Sequence, residues 1–203
     1  MKVVRFLFTL LILVSFTIKA QDVKIGKQTW ATKNLNVGTY RNGDKIPQVQ
    51  DKNAWAKLKT GAWCYYENKT ANGKIFGKLY NWYAVNDPRG LAPKGYHIPT
   101  HEEWTILSDY LGEESEAGTK MKSITGWKNN GNGTNTSGFS GQPGGGRDAN
   151  GDFDDIGASG LWWSASEFGT DGAWPRGLNG SNGNLDGDGF DNRSGMSVRC
   201  IID

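Results

Sequence analysis

The chain is poor in the residues that do most chemistry. Its 203 residues include two histidines, two cysteines, three methionines and six prolines. Pro99 interrupts any helix that would set His97 and His101 on one face, and no third metal ligand is in view. His97 therefore reads as a packed loop residue and His101 as an exposed one. No Ser-His-Asp grouping has a sequence cue, which leaves a hydrolase without support. Cys64 and Cys200 allow one bridge at most. After residue 20 no apolar run approaches the roughly 20 residues of a membrane helix, so no span is expected once the leader is removed. No basic arm occurs either, which argues against nucleic acid as a partner.

Glycine is abundant and unevenly placed. Of the 29 glycines, 18 fall between Gly131 and Gly195, which excludes a long helical bundle and makes that half turns, short strands and loops. Charge is divided too, although the formal net is only +2. Residues 1–20 carry Lys2, Arg5 and Lys19 and no acid, giving +3. Residues 21–129 hold 16 basic and 11 acidic residues (+5), whereas 130–203 hold four arginines against ten acids (−6). The acidic half suits cations, sugars or basic partners.

Residues 1–20 read as a signal peptide, with Lys2 and Arg5 before an apolar run and Ala20 before a cut at Gln21. The product is expected to be exported: secreted, periplasmic or at the cell surface. An oxidising compartment would let Cys64 and Cys200 bridge; two buried free thiols are the alternative, and the bridge is the expectation. Residues 21–203 read as one domain, because nine tryptophans spread along the chain need a shared core.

Local patterns predict a hairpin in 23–36 turning at Gly26, and turns at Asn42-Gly43 and Asn72-Gly73. They predict a strand over 62–66 and a short helix over 77–85. Pro99-Thr100-His101-Glu102-Glu103-Trp104 carries a capping box, with Trp104, Leu107 and Leu111 on one face and Gly112 as terminator. A second helix is expected over 116–124, a loop over 141–146, and strands over 161–166 and 197–202. Residues 174–195 read as a glycine-rich hairpin meander on the surface. Asp148, Asn150, Asp152 and Asp154 alternate like the oxygen ligands of a calcium loop, so calcium is the candidate cofactor, although Phe153 and Ser159 occupy the glycine and glutamate positions of the hand-shaped motif. An Asn-Gly turn with solvated carboxylates, which needs no metal, is the favoured reading of the same residues. Asp186, Asp188 and Asp191 form a second acidic cluster.

Longer motifs carry a family resemblance. Ile25-Gly26-x-Gln28-x-Trp30, Asn34-Leu35 and the run from Gly77 to Val85 come first. They are followed by Gly90-Leu91-Ala92-Pro93-x-Gly95-Tyr96-His97-x-Pro99-Thr100, Ser137-Gly138-Phe139, Pro143-Gly144-Gly145, Trp162-Trp163-Ser164 and Ser197-Val198-Arg199-Cys200. In this order they resemble the Fibrobacter succinogenes major paralogous domain family from about Ile25 to Asp203. The chain departs from it at Ala92, where many members have Cys, and at Tyr96, where Trp is usual. The resemblance implies an α+β fold: a single C-type-lectin-like domain with two or three short helices, short antiparallel strands and extensive glycine-rich loops. It also implies kinship with the formylglycine-generating enzymes. One C-terminal Cys and two His do not meet the needs of that chemistry or of the related iron enzymes, so the expectation is a non-catalytic module. In such folds the loops before the last strand form the binding face. The implied ligand residues are Trp174, Arg176, Asn179, Ser181, Asn182, Asn184, Asp186, Asp188, Asp191, Asn192 and Arg193, with Trp174 stacking on a sugar. A glycan is the expected ligand. A surface-protein partner met by genetically diversified loops is the alternative, and an enzyme on the same scaffold the less favoured one.

Overall fold

A computed structural model describes residues 22–203. The expected leader, residues 1–20, lies outside the described residues.

The first elements are a hairpin, β1 (Asp22–Ile25) and β2 (Gln28–Ala31), paired in register Val23 to Trp30 around Gly26. A short helix α1 (Lys52–Trp55) follows, capped by the Asp51 carboxylate, and then β3 (Trp63–Cys64). After a 3-10 turn at Tyr66–Asn68 comes helix α2 (Thr70–Phe76). The expected turn at Asn72-Gly73 is therefore helical. Gly73 is there for space, because a Cβ at this position would run into the Tyr65 ring. The expected helix over 77–85 also divides. β4 (Leu79–Tyr80) pairs with β3, and Asn81 then caps α3 (Trp82–Val85), its side chain accepting from the Ala84 amide. Both halves are buried, so the apolar spacing that mimicked one helix face serves two elements.

β5 (Tyr96–His97) leads into α4 (His101–Tyr110), where the capping box is complete: Glu103 N–H donates to Thr100 Oγ1 and Thr100 N–H to Glu103 Oε2. Trp104 and Leu107 are buried, and Gly112 turns the chain at φ +101°. α5 (Glu114–Met121) packs beside it, starting two residues before its expected position. The hairpin β6 (Gly146–Arg147) and β7 (Phe153–Asp154) is followed by the long pair β8 (Ser159–Phe168) and β9 (Gly172–Asn179). The remaining strands are β10 (Leu185–Asp186), β11 (Phe190–Asp191) and β12 (Ile201–Ile202). The expected hairpin meander takes the form of an antiparallel sheet, with β9 between β8 on one edge and β10 and β11 on the other. A second sheet runs β1-β2-β12-β5 and ties the C-terminal strand to the first hairpin. With helices and several small antiparallel sheets, the fold is α+β.

The bulge in β8 between Trp163 and Glu167 positions α4. Ser166 Oγ accepts from the His101 amide, and the Ala165 amide donates to Pro99 O, which fixes the helix start against the sheet. Eight of the nine tryptophans are buried, and Trp174 alone is half-exposed.

Few regular elements remain to satisfy loop carbonyls, and buried cations take that role. Arg147 donates to Gly151, Val49 and Gln50 carbonyls and lies over the Trp55 and Phe153 rings. Lys122 Nζ bonds Asn179 O and Asn182 O, and Lys78 Nζ bonds Asn36 and lies 4.2 Å from the Trp63 ring centroid. Guanidinium and ammonium groups are suited to this, since they offer several donors and gain from aromatic faces.

Cys64 and Cys200 are free, both buried, which corrects the expected bridge. They sit in different apolar clusters: Cys64 with Trp55, Tyr66 and Leu79, Cys200 with Tyr80, Trp163 and Val198. Burial pushes each thiol up to about 12.

Candidate functional site

The strand β9 divides the residues expected to form one binding face. Side chains alternate across a strand, so Trp174 and Arg176 point toward α4, whereas Pro175 and Gly177 line a groove on the other side. The Trp174 ring centroid lies 4.6 Å from that of His101, at a tilt, and 4.6 Å from that of Phe168, edge to face. Arg176, only 2% exposed, donates to Thr105 Oγ1 at 3.2 Å and lies 3.9 Å from the Glu114 carboxylate. Burial, then the Arg176 charge, lowers the His101 pKa. Arg176 is therefore a packing cation, not an exposed ligand contact, because the first residues of α4 cover it. His101, expected to be exposed, is half-buried for the same reason.

The other expected residues also separate. Asn179, Ser181, Asn182 and Asn184 form a turn against α5, where Lys122 grips two of its carbonyls and Asn179 Oδ1 accepts from Ser181. Asn192 is buried and its backbone links Asp171 to Trp82. Asp191 and Arg193 pair at 2.6 Å beside the end of α1, where Arg193 also donates to Ala56 O. The Arg193 hydrogen bond holds the Asp191 carboxyl below its usual range. Asp186 and Asp188 remain at the groove.

That groove is the site the structure assembles. Two cavities of about 330 and 170 Å³ share Ser159, Leu161 and Phe190. Asp148, Asp154 and Asp155 line one, and Asp186 and Asp188 the other. The two acidic clusters, about 30 residues apart in sequence, thus meet across one trough. Arg147 is its one basic lining residue, and its donors are used on backbone carbonyls. Asp154, Asp155 and Asp186 are exposed, and among the described residues their carboxylates make no hydrogen bond or ion pair. Phe190 is 40% exposed between these acids, with Leu161 and Pro175 beside it. Phe190, Leu161 and Asp155 were not among the expected site residues. Phe190 is the single aromatic residue of the 175–195 stretch, a signal legible in advance.

The calcium pattern does not gather as a ligand set. Asp148 Oδ1 accepts from the Asp152 amide at 2.8 Å, and both Asp152 oxygens lie 2.6 Å from Lys52 Nζ. Asn150 sits exposed in the β6–β7 turn, leaving Asp148 and Asp154 to line the trough. Among the described residues no group of three or more His, Cys, Asp or Glu side chains comes together to hold a metal. Residues 148–152 form the turn between β6 and β7, which spreads the side chains of Asp148, Asn150 and Asp152 around its bend, with Asp152 drawn to Lys52.

His97, expected in a loop, lies on β5 with Nε2 at 2.8 Å from Glu103 and Nδ1 at 2.9 Å from Asp203. Both ring nitrogens are occupied, so neither is left to activate a nucleophile. Among the described residues no helix is long and apolar enough to cross a membrane.

The sequence model of the Fibrobacter succinogenes major domain family matches residues 23–201. No curated protein and no solved structure matches the chain. With the capped helix and the double tryptophan inside the matched span, and the hairpin and terminal strand at its two ends, this chain belongs to the Fibrobacter succinogenes major domain family.

Proposed function

We propose that the protein is an exported, non-catalytic module that binds a glycan in the acidic groove between the β6–β7 hairpin and the 186–190 segment. The observation that carries this is Phe190, an exposed ring beside Asp154, Asp155 and Asp186, whose carboxylates make no hydrogen bond or ion pair among the described residues. A sugar ring presents an apolar face and a rim of hydroxyl donors. Phe190 with Leu161 and Pro175 would take the face, and Asp154, Asp155, Asp186 and Asp188 would accept from the rim. The acceptors are carboxylates, which favours neutral or cationic sugars over acidic ones. The non-catalytic reading rests on His97 being tied at both nitrogens and on both thiols being buried. The C-type-lectin-like scaffold belongs to the same proposal and rests on the family resemblance.

The test is titration of the full mature chain with neutral and amino-sugar polysaccharides, comparing wild type with Phe190→Ala, Asp186→Asn and Trp174→Ala. Phe190→Ala is expected to weaken binding about tenfold, in line with loss of an aromatic contact of ~1–1.5 kcal/mol. Trp174→Ala is expected to leave it unchanged, since that ring faces α4. Absence of glycan binding, or binding that ignores Phe190, would sink the reading. A basic peptide bound through the same carboxylates is the second reading, favoured by the lack of a free cation in the groove.

A further inference from the structure

A separate cleft of about 600 Å³ lies between residues 32–36, the end of α2 and residues 140–142. Its lining includes Lys33, Lys74 and Arg199, amides of Asn34, Asn36 and Gln142, and no carboxylate. Lys33 and Lys74 are exposed, and among the described residues neither makes an ion pair or hydrogen bond. The Gln142 side chain is likewise without a hydrogen bond there.

Arg199 distinguishes this cleft from a patch of solvated lysines. It is 1% exposed, and its donors go to neutral oxygens: Asn34 Oδ1 twice, Ala31 O and Phe139 O. Among the described residues no carboxylate offsets its charge. Burial pulls its guanidinium below the usual arginine range. Arg147 is equally buried, yet it faces a groove carrying five aspartates. Arg199 faces a cleft that adds two more positive charges. A cavity lined by one sign of charge, with a low-dielectric floor, focuses potential on whatever enters it.

We propose that this cleft is a binding site for a singly or doubly charged oxyanion group, carboxylate or sulfate, borne by an acidic saccharide. The Gln142 amide and the Asn36 N–H not engaged by Gly73 O supply hydrogen bonds to the anion, Asn34 being held on Arg199, Phe76 and Ser197, and Lys33 and Lys74 close on it from the rim. The site is independent of the groove under Phe190 and selects ligand of the opposite charge. Together the two clefts turn the +5 and −6 halves of the chain into two recognition surfaces.

The probes are sodium sulfate, oligogalacturonate and a chondroitin sulfate oligosaccharide, titrated into the full mature chain at ionic strength below about 0.05 M, where screening is weak. Lys33→Glu with Lys74→Glu leaves Arg199 and its packing in place, so the variant is expected to fold. Lys24→Glu with Lys27→Glu makes the same charge change on the exposed β1–β2 hairpin as a control. The expected result is saturable 1:1 binding of at least one oligosaccharide, weakened about tenfold or more by the first pair and little by the second. Binding of sulfate alone would mean an adventitious ion only and overturns the saccharide proposal. Equal loss in both pairs would show attraction by net charge and overturns the site. Dissociation of a salt-sensitive dimer on adding the probes would reassign the cleft to the acidic groove of a second copy, and also overturns it. Phe190→Ala is expected to leave binding here untouched, which separates this test from that of the groove.

Discussion

Asn34 holds three parts of the chain together. Its Oδ1 accepts from Trp162 Nε1 at 2.8 Å and from Arg199 at 3.0 and 2.7 Å, while its Nδ2 donates to Phe76 O and Ser197 Oγ. Removing that side chain leaves Arg199 Nε and Nη2 and Trp162 Nε1 without their partner, while Arg199 Nη1 keeps Ala31 O and Phe139 O. Asn34→Ala is therefore expected to destabilise by about 2–4 kcal/mol, read from denaturant midpoints at constant m. His97 makes a smaller, pH-dependent contribution. Burial alone would lower its pKa, but hydrogen bonds to Glu103 and Asp203 carry the balance upward. A folded pKa above the unfolded value of 6.5 means that this stability is fully present below about pH 6.5 and is lost as pH rises through the folded pKa. With 38% of the His97 side chain exposed, solvent screening keeps the effect under about 1 kcal/mol. His97→Gln should flatten thermal stability across that window; an unchanged profile would refute the assignment.

Two elements show opposite relations between local pattern and outcome. α4 was legible because its start depends on chemistry within four residues: the Thr100–Glu103 exchange forms whatever surrounds it. Thr100→Ala is expected to lose about 1 kcal/mol and to raise amide exchange in the first turn, loosening His101 from Trp174. At Asn72-Gly73 the local cue pointed to a turn, yet the chain is helical because the glycine face accepts the Tyr65 ring. Gly73→Ala, which would favour an isolated helix, is instead expected to cost about 1–3 kcal/mol through overpacking. A rise in melting temperature would contradict this. The 77–85 segment misled differently. Leu79 and Tyr80 have partners in β3 and at Met196, and no helical period within nine residues records a partner more than a hundred residues away.

The molecule is stapled by cations and aromatic rings, not by sulfur. Cys64 and Cys200 are expected to resist thiol reagents in the folded protein and to react fully in denaturant, and a reducing agent should leave the melting temperature unchanged. A mass loss of two hydrogens, or reduction-sensitive melting, would restore the bridge. The residues alone specified a mixture of short helices and strands, the first hairpin, the capped helix, the tryptophan core and the split of charge, because capping, turn geometry and burial of large rings act within short segments or through composition; the α+β class itself came from the family resemblance. Which acids share a trough, and that Trp174 and Arg176 turn away from it, followed only from folding. The alternation of β9 and the closure of β10 and β11 on its edge are long-range pairings with no local trace. The same pairings, by bringing Phe190 beside Asp154 and Asp186, made an acidic groove of what composition could describe only as a glycine-rich acidic stretch.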